Sequence, residues 1–250
     1  MPSSPDHPQC RPTEASERLL KRLHPAFEHI QEALDELDML RETPSGTVRL
    51  NVPNTASMFY IAPFMAPLRQ HYPQVRLEMR TDNALVDIVK EEFNAGIRFA
   101  DRLPQDMVVL PFKPAPRIII VGTPAYLSKH GIPQTPFDLK AHACIGRCFP
   151  NGACYAWEFY HEGKALELRL SGPMVLYDNA LMIEAALEGM GLICVYERLV
   201  ETHLAQGTLV EVLPAWRQLD DPFYLYYPSR HHVPPALRAL IDTWRTEDML

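Results

Sequence analysis

No run of apolar residues in the sequence approaches the ~18 that a membrane-spanning helix needs. The opening stretch, MPSSPDHPQCRPTEASERLL, has no apolar segment of the kind a secretory leader carries. Both absences lead to the expectation of a cytoplasmic protein with no membrane partner. Positive charge is not in excess either. Lys and Arg number 24 against 31 Asp and Glu, for a formal net charge of −7. A dedicated nucleic-acid binder would carry a basic patch or stripe, so DNA is not expected as a direct partner of this chain alone. Cysteine is sparse and odd in number: Cys10, Cys144, Cys148, Cys154 and Cys194. Irregular spacing in a long chain does not make the disulfide framework of a small secreted domain, so free reduced thiols are expected. His142, Cys144 and Cys148 are near neighbours in sequence. They form no CxxC pair and have no second cluster to complete four ligands, so no metal is expected.

Signatures of catalysis are missing too. There is no GxSxG arrangement, no HExxH and no Walker pattern. Gly189-Met-Gly191 looks at first like a phosphate loop. A dinucleotide fingerprint requires strand, glycines, helix in that order, whereas here a helix precedes the glycines and a strand follows. Gly189 therefore reads as the left-handed residue that ends a helix. His161-Glu162 falls on a hairpin turn and His231-His232 in a proline-flanked loop. Glu91-Glu92 and Asp220-Asp221 are sequence neighbours that do not face each other across a substrate. No catalytic residue and no cofactor is expected.

What the 250 residues do contain is an ordinary globular composition, 47% hydrophobic and 22% charged. That length suits one large or two small domains. Residues 1–12 hold four prolines and no periodicity, and read as a disordered tail. Residues 13–43 read as a helix whose apolar positions, Leu19, Leu23, Phe27, Ile30, Leu34 and Leu37, step by four, four, three, four and three. That seam pairs with a second helix like it, or lies on its own domain.

From residue 46 strands and helices alternate. The segments 47–52, 75–80 and 95–99 read as strands. An amphipathic helix bearing Phe59, Ile61, Phe64, Met65 and Leu68 separates the first two, and one bearing Leu85, Val86, Ile88, Val89 and Phe93 separates the second pair. Such βαβαβ alternation implies a parallel sheet. A second set of elements follows: strand 117–122, a short helix closed by Gly131, an antiparallel pair turning at 161–164, a helix begun by Asp178-Asn179, strand 192–196, another helix, strands in TLVEVL and FYLYYP, and a last helix in PPALRALIDTWRT. Three turns after strands are rich in small polar residues: Asn54-Thr-Ala-Ser57, Thr81-Asp-Asn83 and Asp178-Asn179. Each is either a plain helix cap or part of a cleft for a polar ligand, because open backbone N–H groups at helix starts favour anions.

Several stretches together resemble the LysR-type transcriptional regulators: GTVRLNVP (46–53), APFMAPLRQHYPQVRLEM (62–79), EEFNAGIRFADRLPQDMVVLP (91–111), VGTPAYLSKHGIPQTPFDLKAHACI (121–145), WEF (157–159), LEGMGLI (187–193), GTLVEVLPAW (207–216) and LYYPSR (225–230). The likeness runs from about residue 11 to residue 246. It implies an α/β fold of two Rossmann-like lobes joined by two crossover strands, like a type 2 periplasmic binding protein, behind a long linker helix. Lobe I would comprise 46–117 and 224–250, lobe II 118–223, with crossovers near 113–119 and 221–227. A small-molecule effector between the lobes would meet Thr55, Ala56, Ser57, Thr81, Asp82, Arg98, Phe99, Arg147, Phe149, Asp178, Asn179 and Tyr196. The family reads DNA through a winged helix-turn-helix ahead of the linker helix, and in this sequence TEASERLL (13–20) resembles the stretch leading into that helix, so the winged module is expected to be missing. The resemblance thus implies a sensing and oligomerising region that pairs with itself and meets DNA only through a winged module supplied elsewhere. A solute-binding protein of a transport system and an enzyme on the same scaffold are the alternatives.

Overall fold

The computed structural model describes residues 19, 23, 26, 43–82, 86–104, 106–149, 152–217, 221–228 and 233–250. The expected tail, nearly all of the heptad helix, and His231-His232 lie outside the described residues. Leu19 and Leu23, two of the seam positions, are helical and exposed.

The chain opens with strand β1 (Gly46–Val52), in which Val48, Leu50 and Val52 are fully buried and alternate with residues of the other face. A helical stretch follows, but it is not one continuous α-helix. It passes through an α-turn (Asn54–Ala56), a π-turn (Ser57–Ile61) and a 3-10 turn (Ala62–Phe64) before helix α1 (Met65–His71). Pro63 explains the break, since it has no N–H to return to the carbonyl of Phe59. Two carbonyls of this stretch are satisfied from elsewhere: Phe59 O accepts from Arg198 Nη1 at 3.1 Å and Tyr60 O from Trp244 Nε1 at 2.7 Å. Strand β2 (Val75–Thr81) then pairs with β1 in parallel along its length.

The second expected helix does not form among residues 86–94, which make turns instead. The Asp87 carboxylate accepts from the N–H groups of Val89 and Lys90, both at 3.1 Å. Such local side-chain bonding competes with a helix. Glu92 also adopts a left-handed conformation, with φ of 57°. The apolar residues of this segment still find a core, since Ile88 and Phe93 pack with Tyr226 under the sheet.

Strand β3 (Ala95–Phe99) joins β1 in parallel, and β4 (Met107–Pro111) completes the first set. The chain then crosses to a second sheet with β5 (Ile118–Gly122) and helix α2 (Pro124–His130), capped by Thr123. Strands β6 (Gly146–Arg147), β7 (Trp157–His161), β8 (Lys164–Leu168) and β9 (Val175–Leu176) follow. Helix α3 (Asn179–Leu187) starts at Asp178, whose carboxylate accepts from Leu181 N at 3.1 Å. After it come β10 (Ile193–Tyr196), helix α4 (Glu197–Ala205) and β11 (Val210–Val212). Strand β12 (Phe223–Pro228) returns to the first sheet and helix α5 (Pro235–Thr246) covers it.

The first sheet has the order β2-β1-β3-β12-β4 and the second β10-β5-β11. Strand β12 is antiparallel to both of its neighbours, and β5 to both of its own. Each sheet is therefore parallel except for the strand that arrives from the other sheet. That pattern gives two α/β lobes with exchanged strands. On α5, Leu237, Leu240, Ile241 and Trp244 recur at helical spacing and are buried against the first sheet. Among the described residues no helix is long and apolar enough to cross a membrane.

Candidate functional site

The two lobes meet across a cleft of about 350 Å³. It opens where β3 ends, where the chain crosses between sheets, and where β10 ends. Ligands in open α/β sheets occupy this kind of position. The lobe I wall is formed by Thr55, Arg98, Phe99, Asp101, Arg102, Asp221 and Phe223. Phe99 and Phe223 are neighbours in register across β3 and β12, and their rings stack with centroids 3.9 Å apart. The lobe II wall is formed by Arg147, Phe149, Tyr155, Glu158 and Tyr196, with Ile118 at the floor.

A narrow hairpin builds most of the second wall. Tyr155 N donates to Arg147 O at 2.7 Å and Phe149 N to Ala153 O at 2.8 Å. These bonds set Arg147 opposite Tyr155 and Cys148 opposite Cys154. Alternation along the strands puts Arg147, Phe149 and Tyr155 on the cleft face and both cysteines on the back. Cys148 is bonded to Cys154, which corrects the expectation of reduced thiols throughout. The reason is this register, which a linear spacing of six residues does not reveal. Cys144 and Cys194 are free and buried, and burial pushes both thiols up to about 12. His142, Cys144 and Cys148 do not converge: the His142 ring lies 3.4 Å from the Tyr126 hydroxyl, and Cys144 Sγ donates to Leu139 O.

The Arg147 guanidinium lies over two rings, 5.4 Å from the centroid of Phe149 and 5.8 Å from that of Tyr196. Part of its N–H edge is hydrogen-bonded to Tyr196, and the remaining N–H groups of the planar fork suit a carboxylate or phosphate. Arg98 differs. It is 2% exposed and donates to Ile97 O at 2.6 Å, to Asn51 Oδ1 and to Asp82 O at 3.3 Å. Burial lowers its pKa. It ties the end of β3 to the turn after β2. On the same lobe, burial and the neighbouring Asp101 hold the Asp221 carboxyl above the ordinary range.

Thr55, Arg98, Phe99, Arg147, Phe149 and Tyr196 line the cleft. The other residues named from sequence are placed differently. Ala56 is fully buried in the lobe I core, and the Ser57 hydroxyl donates to Asn54 O at 2.7 Å. Thr81 closes β2 in register with Val52, and Asp82 continues the chain there, its N–H donating to Val52 O. Asp178 caps α3. Asn179 reaches across the lobes instead, its Nδ2 donating to Thr55 Oγ1 at 3.2 Å. Two more contacts hold the lobes on this side: Arg198 to Phe59 O, and the Tyr196 ring edge-on to Phe59 at 5.7 Å. Asp101 and Arg102 were missed although they directly follow β3, where the strand-end rule points. Tyr155, Glu158, Asp221 and Phe223 carry no local signal, because they arrive through the hairpin and the exchanged strand.

A family model described as the LysR substrate binding domain matches residues 41–248. A putative transcriptional regulator of Pseudomonas aeruginosa is 35% identical over 235 residues, covering 94% of this chain and 77% of that protein. The uncharacterized HTH-type transcriptional regulator YcaN of Escherichia coli is also 35% identical, covering 94% and 76%. Among solved structures, the full-length Vibrio cholerae virulence activator AphB aligns with a TM-score of 0.73 at 22% identity, covering 94% of this chain and 80% of that one. The regulatory domain of CrgA from Neisseria meningitidis aligns with a TM-score of 0.69 at 21% identity, covering 82% and 99%. At those identities the structures speak for the fold.

Proposed function

The chain belongs to the LysR-type transcriptional regulators and carries their effector-binding regulatory region, and from that premise we propose that its effector is a small organic acid with a flat or branched apolar body. The observation that carries this reading is Arg147, held by its face against Phe149 and Tyr196 and opposed across the cleft by the stacked pair Phe99 and Phe223. Arg147 takes the carboxylate by its N–H edge. The aromatic rings take the apolar body. Regulators of this family oligomerise and act on DNA, so a ligand works by favouring one lobe arrangement over another. The contacts that would differ between arrangements are Asn179 to Thr55 and Arg198 to Phe59 O, which bridge the lobes beside the cleft. Such couplings amount to about 1–3 kcal/mol. Self-association through the heptad seam of residues 13–43 completes the proposed device.

A thermal-shift panel of small carboxylates with aromatic or branched bodies tests the reading. A ligand at about 100 times its Kd adds roughly 2.7 kcal/mol, a shift that is easily read. We expect a subset of the panel to raise Tm in the native chain and to lose that effect in Arg147→Ala, with the ligand-free Tm little changed. Equal shifts in both proteins would refute the assignment of Arg147.

A further inference from the structure

The back of the cleft hairpin carries a feature that effector binding does not use. Cys148 and Cys154 are directly opposed there, and they are bonded. Their neighbours in sequence, Arg147, Phe149 and Tyr155, all face the cleft. The two sulfurs differ in access: Cys148 is 2% exposed while Cys154 is exposed. We propose that Cys148 and Cys154 form a reversible thiol–disulfide site, exchanging with low-molecular-weight thiols and disulfides, that sets how firmly the ligand-facing wall of lobe II is held.

The exchange is balanced without any further reagent. The Cys154 thiolate attacks one sulfur of a small disulfide, forms a mixed disulfide and releases one small thiolate. The Cys148 thiolate then attacks Cys154 Sγ and expels the second. Two electrons pass from the protein thiols to the small disulfide, and the two protons given up by the cysteines are taken by the two departing thiolates. Excess small thiol drives the same steps backwards. Selectivity of the first attack follows from access, because Cys154 is exposed whereas Cys144 and Cys194 are buried with their thiolates disfavoured. Cys148, though buried, enters second because it already stands opposite Cys154. With the bridge closed, the two strands of the hairpin are tied at a site between its two backbone bonds, Tyr155 N to Arg147 O and Phe149 N to Ala153 O. With the bridge open, the two strands of the hairpin are joined only by their backbone bonds, while the pairing of β6 with β9 and the bond from Cys148 N to Leu176 O still hold the first of them. The consequence for ligand capture rests on the reading of the cleft given above; the pairing itself does not.

The test uses the full chain equilibrated at graded ratios of reduced to oxidised glutathione, then trapped with an alkylating agent and cut with trypsin. Cleavage after Arg147 and Lys164 leaves both cysteines on one peptide. The expected result is a peptide lighter by two hydrogens and unalkylated at oxidising ratios, and doubly alkylated at reducing ones. In parallel, amide deuterium exchange across 147–155 is expected to quicken several-fold on reduction. A double Cys148→Ser, Cys154→Ser variant should exchange at the reduced rate in every buffer. Pairing of either cysteine with glutathione or with another chain as the end product overturns the proposal, as does exchange that ignores the redox buffer.

Discussion

Gly191 is the residue whose meaning changed most between sequence and structure. Its backbone φ is 153°, and a Cβ there would overlap the carbonyl of Ala143. The constraint is a close approach of two backbones, since Leu192 N donates to Ala143 O at 2.8 Å and Ile145 N to Leu192 O at 2.9 Å. Gly189, with φ of 72°, ends α3 as its position after the helix suggests. The Gly-Met-Gly pattern was therefore legible as a turn, but the partner that makes Gly191 obligatory lies 48 residues earlier in the chain and leaves no local mark. Gly191→Ala is expected to lower stability by about 2 kcal/mol or more, because backbone must move as well as adopt a left-handed conformation. Urea denaturation of the variant against the native chain reads this directly, and an unchanged midpoint would contradict it.

At the scale of elements, strands were easier to foresee than helices. The alternating burial of Val48, Leu50 and Val52 follows from a period of two in the sequence. The segment 86–94 has equally good helical spacing, yet Asp87 diverts its backbone into turns. The stretch 54–71 also departs from a regular helix, and its irregularity is useful. Freed carbonyls there receive Arg198 from lobe II and Trp244 from α5. Tyr60 sits at the centre of this stretch, its hydroxyl donating to Pro114 O at 2.9 Å on the crossing segment. Burial pushes its pKa from 10.0 to about 12, with Arg198 acting in the opposite direction. A phenol that holds its proton more tightly when folded contributes stability that is fully present below pH 10 and is lost as pH rises towards 12. Thermal denaturation should therefore show Tm falling above pH 10, and Tyr60→Phe should flatten part of that fall. A variant with the same alkaline slope as the native chain would count against Tyr60 as its source.

The whole molecule is two lobes that exchange a strand each, so the cleft is assembled from distant parts of the chain. Arg98, Phe99, Arg147, Phe149 and Tyr196 were legible because each stands at or just after a strand end. Phe223 and Asp221 were not, because they enter with β12, and its place between β3 and β4 is a fact of topology. Asn179 illustrates a third case. Its position at a helix start was foreseen, but its bond to Thr55 joins lobe to lobe. If a ligand acts by holding both walls together, it must alter both. The most direct measurement is amide deuterium exchange on the full chain with and without a carboxylate that raises its Tm. Slower exchange is expected on both walls, in residues 98–102 of lobe I and in 147–155 and 194–198 of lobe II. Protection confined to one lobe, or lying away from the cleft, would contradict the account of a ligand gripped between two lobes.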